Sequence, residues 1–234
     1  MTFIPAVSLK NKDGIKNYDI YSMLLSERIV FITGEINDEL ASVVVSELLY
    51  LQAINQKEQI TIYINSPGGE VNAGLAIYDV IKSSPCPIST IGIGLCASMG
   101  AVLLSSGTKG KRFAYENCEI MIHQPLGGTN GQVSDLEIMT KRFLIIKDNL
   151  NKILSLNCST PIEKVARDCD RNFFMSAKEA LEYHLIDDIF KTMSSNEKSW
   201  IPLSNSDISI FKAIAILFKI IKEGFLLPLS KSEI

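Results

Sequence analysis

The sequence predicts an α/β protein built on a largely parallel sheet. Short β-branched runs recur along the chain, stretches with helical spacing lie between them, and glycine, proline or asparagine marks most of the switches. Strands alternating with helices imply βαβ units, whose crossovers place helices over a parallel sheet.

Residues 28–34, Arg-Ile-Val-Phe-Ile-Thr-Gly, read as a strand closed by a turn glycine. Asn37 or Asp38 then caps a helix to about residue 55, with Leu40, Val43, Val44, Leu48 and Leu51 in helical spacing. Residues 59–64 alternate like a strand and run into Ser66-Pro67-Gly68-Gly69, and 71–83 read as a helix that ends before Pro85 and Pro87. A β-branched run over 88–93 enters the small-residue turn Gly92-Ile93-Gly94-Leu95-Cys96-Ala97-Ser98, and an apolar helical run leaves it towards Gly107. A turn and short strand over 109–113 and a strand over 118–122 follow, with His123 at the end of the latter. The helical pattern over 133–156 carries too many apolar positions for one narrow stripe. It predicts packing against a second copy, with an ordinary core helix as the alternative. Thr160-Pro161-Ile162-Glu163 offers a cap residue, a proline at the first helical position and a glutamate. Residues 168–172 form a charged turn, Ser176 starts another short helix, and 186–190 close the domain.

The two ends differ from this body. Residues 1–19 read as a flexible arm, without the basic segment and long apolar run of a signal peptide. Residues 20–190 form the domain, and 191–207 a Ser-, Asn- and charge-rich linker. Residues 208–225 predict an amphipathic helix, with Lys212, Lys219 and Glu223 within roughly 40° of one another and a broad apolar remainder. Its charges argue against a span and for docking on protein, with a membrane surface as the second reading.

With 47% hydrophobic residues the chain is ample for one sizeable core, and a net charge of −3 argues against nucleic acid as the main partner. Five cysteines without metal spacing point to a reducing, cytoplasmic setting. The two histidines, His123 and His184, lack companion ligands, so a metal site is not expected.

The chemistry centres on Ser98. A serine between a strand and a helix start has free N–H groups and a positive dipole end beside it, and suits an activated hydroxyl. It equally suits a plain N-cap. A serine nucleophile needs a base of near-neutral pKa, and His123, at a strand end before Gln-Pro, is better placed than His184. Gly68-Gly69 can turn backbone N–H groups inward as an oxyanion hole.

Five segments in order resemble the ClpP family, the proteolytic subunits of the Clp protease. They are Tyr63-Ile64-Asn65-Ser66-Pro67-Gly68-Gly69, Ala97-Ser98-Met99-Gly100-Ala101, Gly110-Lys111-Arg112-Phe113, Met121-Ile122-His123-Gln124-Pro125-Leu126-Gly127-Gly128 and Asp170-Arg171-Asn172-Phe173-Phe174-Met175-Ser176-Ala177. The resemblance runs from about residue 3 to 190. It implies a crotonase-like fold of repeated ββα units with a protruding strand–helix handle over about 124–156. It also implies stacked heptameric rings, a tetradecamer, that cleave unfolded polypeptides delivered by AAA+ unfoldases. ATP would be used by the unfoldase, and no cofactor by this chain. Ser98 would be the nucleophile, His123 the base, the N–H groups of Gly69 and Met99 the oxyanion hole, and Asp170 and Arg171 a ring-contact pair.

The chain departs from the family in places. Asn172 stands where the family carries its catalytic aspartate, and neither Asp168 nor Asp170 is an obvious substitute. In the unfoldase-docking pocket, Tyr63, Ile91, Ile93 and Phe113 fit, while Thr61 and Ser83 stand where large aromatics are common. The tail after residue 190 is longer than usual, and His184 replaces a glycine. Two expectations follow: an active serine peptidase subunit of reduced intrinsic rate, or a structural ring subunit that works with a second, fully equipped paralogue. Acyl-CoA chemistry of the crotonase type is disfavoured, since it has no use for the Ser–His pair.

Overall fold

A computed structural model describes residues 4–11 and 14–191. The tail helix expected over 208–225 lies outside the described residues. The chain divides into two units between Glu27 and Arg28. The first holds strands β1 (Ala6–Asn11) and β2 (Gly14–Asp19), paired antiparallel, and helix α1 (Ile20–Ser26), whose N-cap Asp19 accepts from the Ser22 N–H. The expected arm is thus a hairpin. Helix α1 groups with that hairpin, and the second unit begins at Arg28.

The second unit is a mixed α/β fold. Strands β3 (Ile29–Thr33), β4 (Ile60–Ser66), β5 (Ile88–Ala97), β6 (Arg112–Tyr115) and β9 (Asp188–Phe190) lie side by side and parallel. Strand β7 (Glu119–Ile122) pairs parallel with the far end of β5 and antiparallel with β8 (Phe173–Ser176). Helix α2 (Asp38–Ile54) packs on β3 and α4 (Met99–Ser105) on β5, with α3 (Val71–Lys82) between those helices. The central strands bury Val30, Ile32, Ile60, Ile62, Ile64 and Ile88 almost completely. Fully burying each such side chain stabilises the fold by about 1.5–3 kcal/mol. A cross-strand row, Phe31, Tyr63, Ile91 and Phe113, follows in register, and the Phe31 and Tyr63 rings stack at 5.5 Å.

The local signals act largely as read. Asn37 caps α2 through the Leu40 N–H, and Ser176 with Glu179 forms a full capping box on α7 (Ala177–Glu182). Thr160 does not cap α6 (Ile162–Asp168). Pro161 takes the N-cap position, and the Thr160 hydroxyl is turned inward to the carbonyls of Cys158 and Tyr183, because the residue is buried. Strand β5 runs four residues further than the β-branched stretch indicates. Its small residues continue past a register shift at Gly94, and Cys96 and Ala97 pair with β7.

Between β7 and helix α5 (Val133–Cys158), residues 123–132 carry no strand among the described residues. That part of the expected handle has no ladder partner among the described residues. Only the C-terminal part of α5 is core, through Leu150, Ile153, Leu154 and Cys158, while Val133, Ile138, Leu144 and Ile145 stay exposed. His184 has φ 61, the left-handed value expected where a glycine is usual.

One ion pair ties the far end of the sheet together. The Arg112 guanidinium, 3% exposed, donates to both Asp187 oxygens at 2.8 and 2.6 Å and to the Asn157 carbonyl at 2.7 Å. Asp187 also accepts from the Gly110 and Arg112 N–H groups. Burial pushes the Asp187 carboxyl up, but the hydrogen bonds and charge of Arg112 outweigh it and hold the pKa below the usual carboxylate value. Removing the carboxylate strands a buried cation, so Asp187→Ala is expected to cost about 3 kcal/mol by chemical denaturation. Because the folded pKa is lowered, this contribution is present above about pH 4 and fades as pH falls through the folded value. Stability of Asp187→Asn is therefore expected to depend less on pH below about 4 than that of the parent.

Candidate active site

Ser98 is the joint between β5 and α4. It occupies the N-cap position with φ 55 and ψ −122, and its side chain makes no capping bond. The plain N-cap reading therefore fails. An L-residue in this region is strained by on the order of 1–3 kcal/mol, which its surroundings must supply. Its N–H donates to the Met121 carbonyl at 2.8 Å, and its carbonyl accepts from Ala101 and Val102 at 3.0 and 3.2 Å. The backbone is thus tied to β7 on one side and to the first turn of α4 on the other, and the hydroxyl is left pointing away from both.

That hydroxyl meets His123. Ser98 Oγ lies 2.9 Å from His123 Nε2, and His123 Nδ1 lies 3.0 Å from Asn172 Oδ1. A carbonyl oxygen only accepts, so Nδ1 carries the ring hydrogen, and Nε2 is left to accept from the serine hydroxyl. Asn172 therefore turns its oxygen, not its N–H₂ group, towards the ring. Gln124 joins the two loops involved: its N–H donates to the Cys169 carbonyl at 2.5 Å and its side-chain amide to the Asp170 carbonyl at 2.6 Å. The loops that carry His123 and Asn172 are thereby cross-tied by a neighbour whose part was not foreseen from the sequence. Its position immediately after His123 was the available signal.

The glycine turn after β4 packs against the same joint. Gly68 has φ +95, and a Cβ there would lie 2.5 Å from Ser98 Cβ, 2.9 Å from the Ala97 carbonyl and 3.1 Å from the Met99 nitrogen. Gly69 is held by the Ile36 bridge, in which Ile36 N–H donates to Gly68 and Glu70 N–H donates to Ile36. The N–H groups of Gly69 and Met99 meet no acceptor among the described residues; for Met99 this follows from its place in the first helical turn.

A recess beside Ser98 and His123 is walled by Val71, Met99, Val102, Ile122, Leu150 and Leu154, and Asn151 also lines it. Asn151, buried on the inner face of α5, was likewise not singled out from sequence; a polar residue within the apolar stripe Leu150, Ile153, Leu154 marks it.

The remaining predicted residues lie elsewhere. Asp170 is exposed beside Lys147, 3.7 Å away, and the exposed Arg171 forms no ion pair among the described residues. Tyr63, Ile91 and Phe113 share the cross-strand row, and Ile93 continues on β5. Thr61 is buried, with Gln59 donating to its hydroxyl at 3.4 Å, and Ser83 bonds back to the Asp79 carbonyl at the end of α3. All five cysteines are free and buried. No metal-ligand cluster occurs among the described residues, and no helix among them is long and apolar enough to cross a membrane.

A serine forced out of helical geometry, aimed at an imidazole whose far nitrogen is already donating, is the arrangement of a serine hydrolase on an α/β scaffold. A Clp protease family model matches residues 11–193 of this chain. The chain belongs to the Clp protease family, a family of serine peptidases.

Gly68→Ala tests the packing at the joint. The new methyl meets backbone and Ser98 Cβ together, so it displaces the serine rather than a flexible neighbour. Acylation of Ser98 by a fluorophosphonate probe is expected to fall by about 100-fold, the cost of a misplacement near 1 Å. The thermal midpoint should drop as well, because alanine is strained at this φ.

Proposed function

We propose that this chain is the proteolytic subunit of a chambered Clp-type protease and cleaves unfolded polypeptides through Ser98, His123 and Asn172. The observation that carries the reading is the continuous hydrogen-bond path from Ser98 Oγ through both His123 nitrogens to Asn172 Oδ1.

In the proposed reaction the scissile carbonyl carbon comes within reach of Ser98 Oγ. The hydroxyl proton passes to His123 Nε2 as the new C–O bond forms. The carbonyl oxygen becomes an oxyanion, and the unpaired N–H groups of Gly69 and Met99 are the donors available to it. His123 then returns the proton to the departing amine, which breaks the peptide bond and leaves an ester on Ser98. A water molecule, deprotonated by the same imidazole, hydrolyses that ester. Asn172 keeps the ring in the productive tautomer throughout, but brings no negative charge to the imidazolium.

Ring assembly belongs to the same proposal. The exposed Val43, Leu49, Tyr50 and Ile54 on α2, and Val133, Ile138, Leu144 and Ile145 on α5, are apolar surfaces suited to contacts with further copies or with a paralogue. The Tyr63, Ile91 and Phe113 row would receive an apolar unfoldase loop. The small polar side chains of Thr61 and Ser83 offer that loop less apolar surface than aromatics, which favours a paralogue as the main docking subunit. The proposed setting is the cytoplasm, and ATP is consumed by the unfoldase.

Two outcomes test the chemistry. Ser98→Ala is expected to reduce hydrolysis of a fluorogenic peptide to background while the purified oligomer keeps its size. Activity that survives in this variant would remove Ser98 as the nucleophile. Asn172→Asp restores a charge beside the imidazolium, and kcat of size-selected oligomers is expected to rise about 10- to 100-fold, a part of the roughly 10⁴ that an aspartate-to-asparagine exchange costs when the tautomer is also lost. An unchanged kcat would show that the uncharged carbonyl suffices.

A further inference from the structure

We propose that Cys96 and Cys118 form a reversible disulfide when a peroxide reaches them, and that this bond disables Ser98. The effect on activity rests on the peptidase reading of Ser98.

Among the described residues these two cysteines make the only sulfur–sulfur contact, with their Sγ atoms 3.9 Å apart. Cys96 is in register with Ile120 on β7, and Cys118 lies two residues earlier, so both side chains share one face of the β5–β7 pair. Both residues are buried, and Gly92 makes the space they share. A Cβ at Gly92 would lie 3.1 Å from each sulfur and from Leu104 Cδ2. Access comes through the turn before β7. The Cys118 N–H donates to the Tyr115 carbonyl at 2.9 Å, and Tyr115, Glu116 and Asn117 are exposed. Opening this one turn brings the Cys118 thiol to solvent.

The chemistry balances with hydrogen peroxide as the oxidant. The Cys118 thiolate attacks one peroxide oxygen, the O–O bond breaks, and a sulfenic acid forms. The departing hydroxide takes up the proton that Cys118 released. The Cys96 sulfur then attacks the Cys118 sulfur. The S–S bond forms, the S–O bond breaks, and the hydroxyl leaves as water with the Cys96 thiol proton. Together the thiols lose two electrons, and the peroxide is reduced to two water molecules.

A disulfide holds its sulfurs at about 2.05 Å, so this pair must close by about 1.9 Å. Drawing Cys96 towards Cys118 also breaks the bond that its thiol donates to the Ile64 carbonyl at 3.2 Å. Cys96 stands two residues before Ser98, and the Ser98 N–H is bonded to the carbonyl of Met121, three residues after Cys118. The disulfide therefore shifts the two strands whose relative position sets the Ser98 backbone. A shift near 1 Å at that joint misplaces the hydroxyl against His123 by enough to cost about 100-fold in reactivity.

The test treats the full chain with hydrogen peroxide and then with dithiothreitol. Peptide mass mapping of the oxidised protein should find Cys96 joined to Cys118. Labelling of Ser98 by a fluorophosphonate probe should fall by about 100-fold on oxidation and return on reduction. Cys118→Ala should label like the reduced parent and keep its labelling in peroxide. Three results on the parent alone overturn the proposal, whether or not the variant folds: no Cys96–Cys118 peptide, labelling within twofold of the reduced value once the disulfide is mapped, or a loss that dithiothreitol does not restore. A variant that loses labelling in peroxide as the parent does overturns it too. Reduced parent that neither takes the probe nor cleaves a fluorogenic peptide overturns the peptidase reading, and the switch with it. Reduced parent that labels, and labels as well with the disulfide in place, overturns the switch alone.

Discussion

The contact between Gly68 and Ser98 is the constraint on which the site depends. The positive φ of Ser98 is tolerable only because β5, β7 and α4 hold its backbone from three directions. The bend can form only because the facing turn has no side chain to obstruct it. A single close approach therefore sets where the hydroxyl points, how near the glycine turn lies to the first turn of α4, and how far β5 must extend before it bends. The register shift around Gly94 belongs to the same geometry: beyond it β5 pairs with β4 again at Cys96–Ser66 and with β7 through Leu95 to Ala97.

His123 is positioned by a different route. His123 leaves the end of β7, and β7 is fixed by parallel pairing to β5 and antiparallel pairing to β8. Since β8 begins at Phe173, the residue just before it, Asn172, is carried to the histidine by the same pairing. Gln124 then closes the gap between the two loops with two hydrogen bonds. Ser98, His123 and Asn172 are thus brought together by the β5–β7–β8 pairing. Asp170, Arg171 and Asn172 are exposed, so this loop is held at the site through the Gln124 hydrogen bonds and the start of β8.

Placing an asparagine at this point separates two duties that an aspartate performs together. Orientation of the imidazole needs only an acceptor at the correct distance, and Asn172 provides it. Stabilising the imidazolium needs negative charge, and the ion pair of Lys147 with Asp170 lies outside the hydrogen-bond path. Under the proposed mechanism, the hydrogen-bond geometry is kept while the electrostatic contribution to it is reduced.

The sequence by itself determined the α/β alternation and the approximate place of nearly every helix and strand, and it singled out Ser98, His123 and the Gly68-Gly69 turn, which the fold brings together. These were legible because they depend on local signals: β-branched runs, helical spacing, caps such as Asn37 and Ser176, and small residues at a strand–helix joint. Only the tertiary structure decided matters that depend on what lies opposite a residue. It turned the Thr160 hydroxyl inward instead of onto its helix, extended β5 through residues of low strand propensity because β7 was there to pair with them, and formed a hairpin from an apparently irregular terminus. It also gave Ser98 a partner other than the helix end, chose which face of the Asn172 amide meets the ring, and left Asn151 without a partner in a recess. None of these is encoded in spacing along the chain. Each depends on hydrogen-bond complementarity across elements far apart in sequence, and such complementarity exists only once the sheet has brought them together.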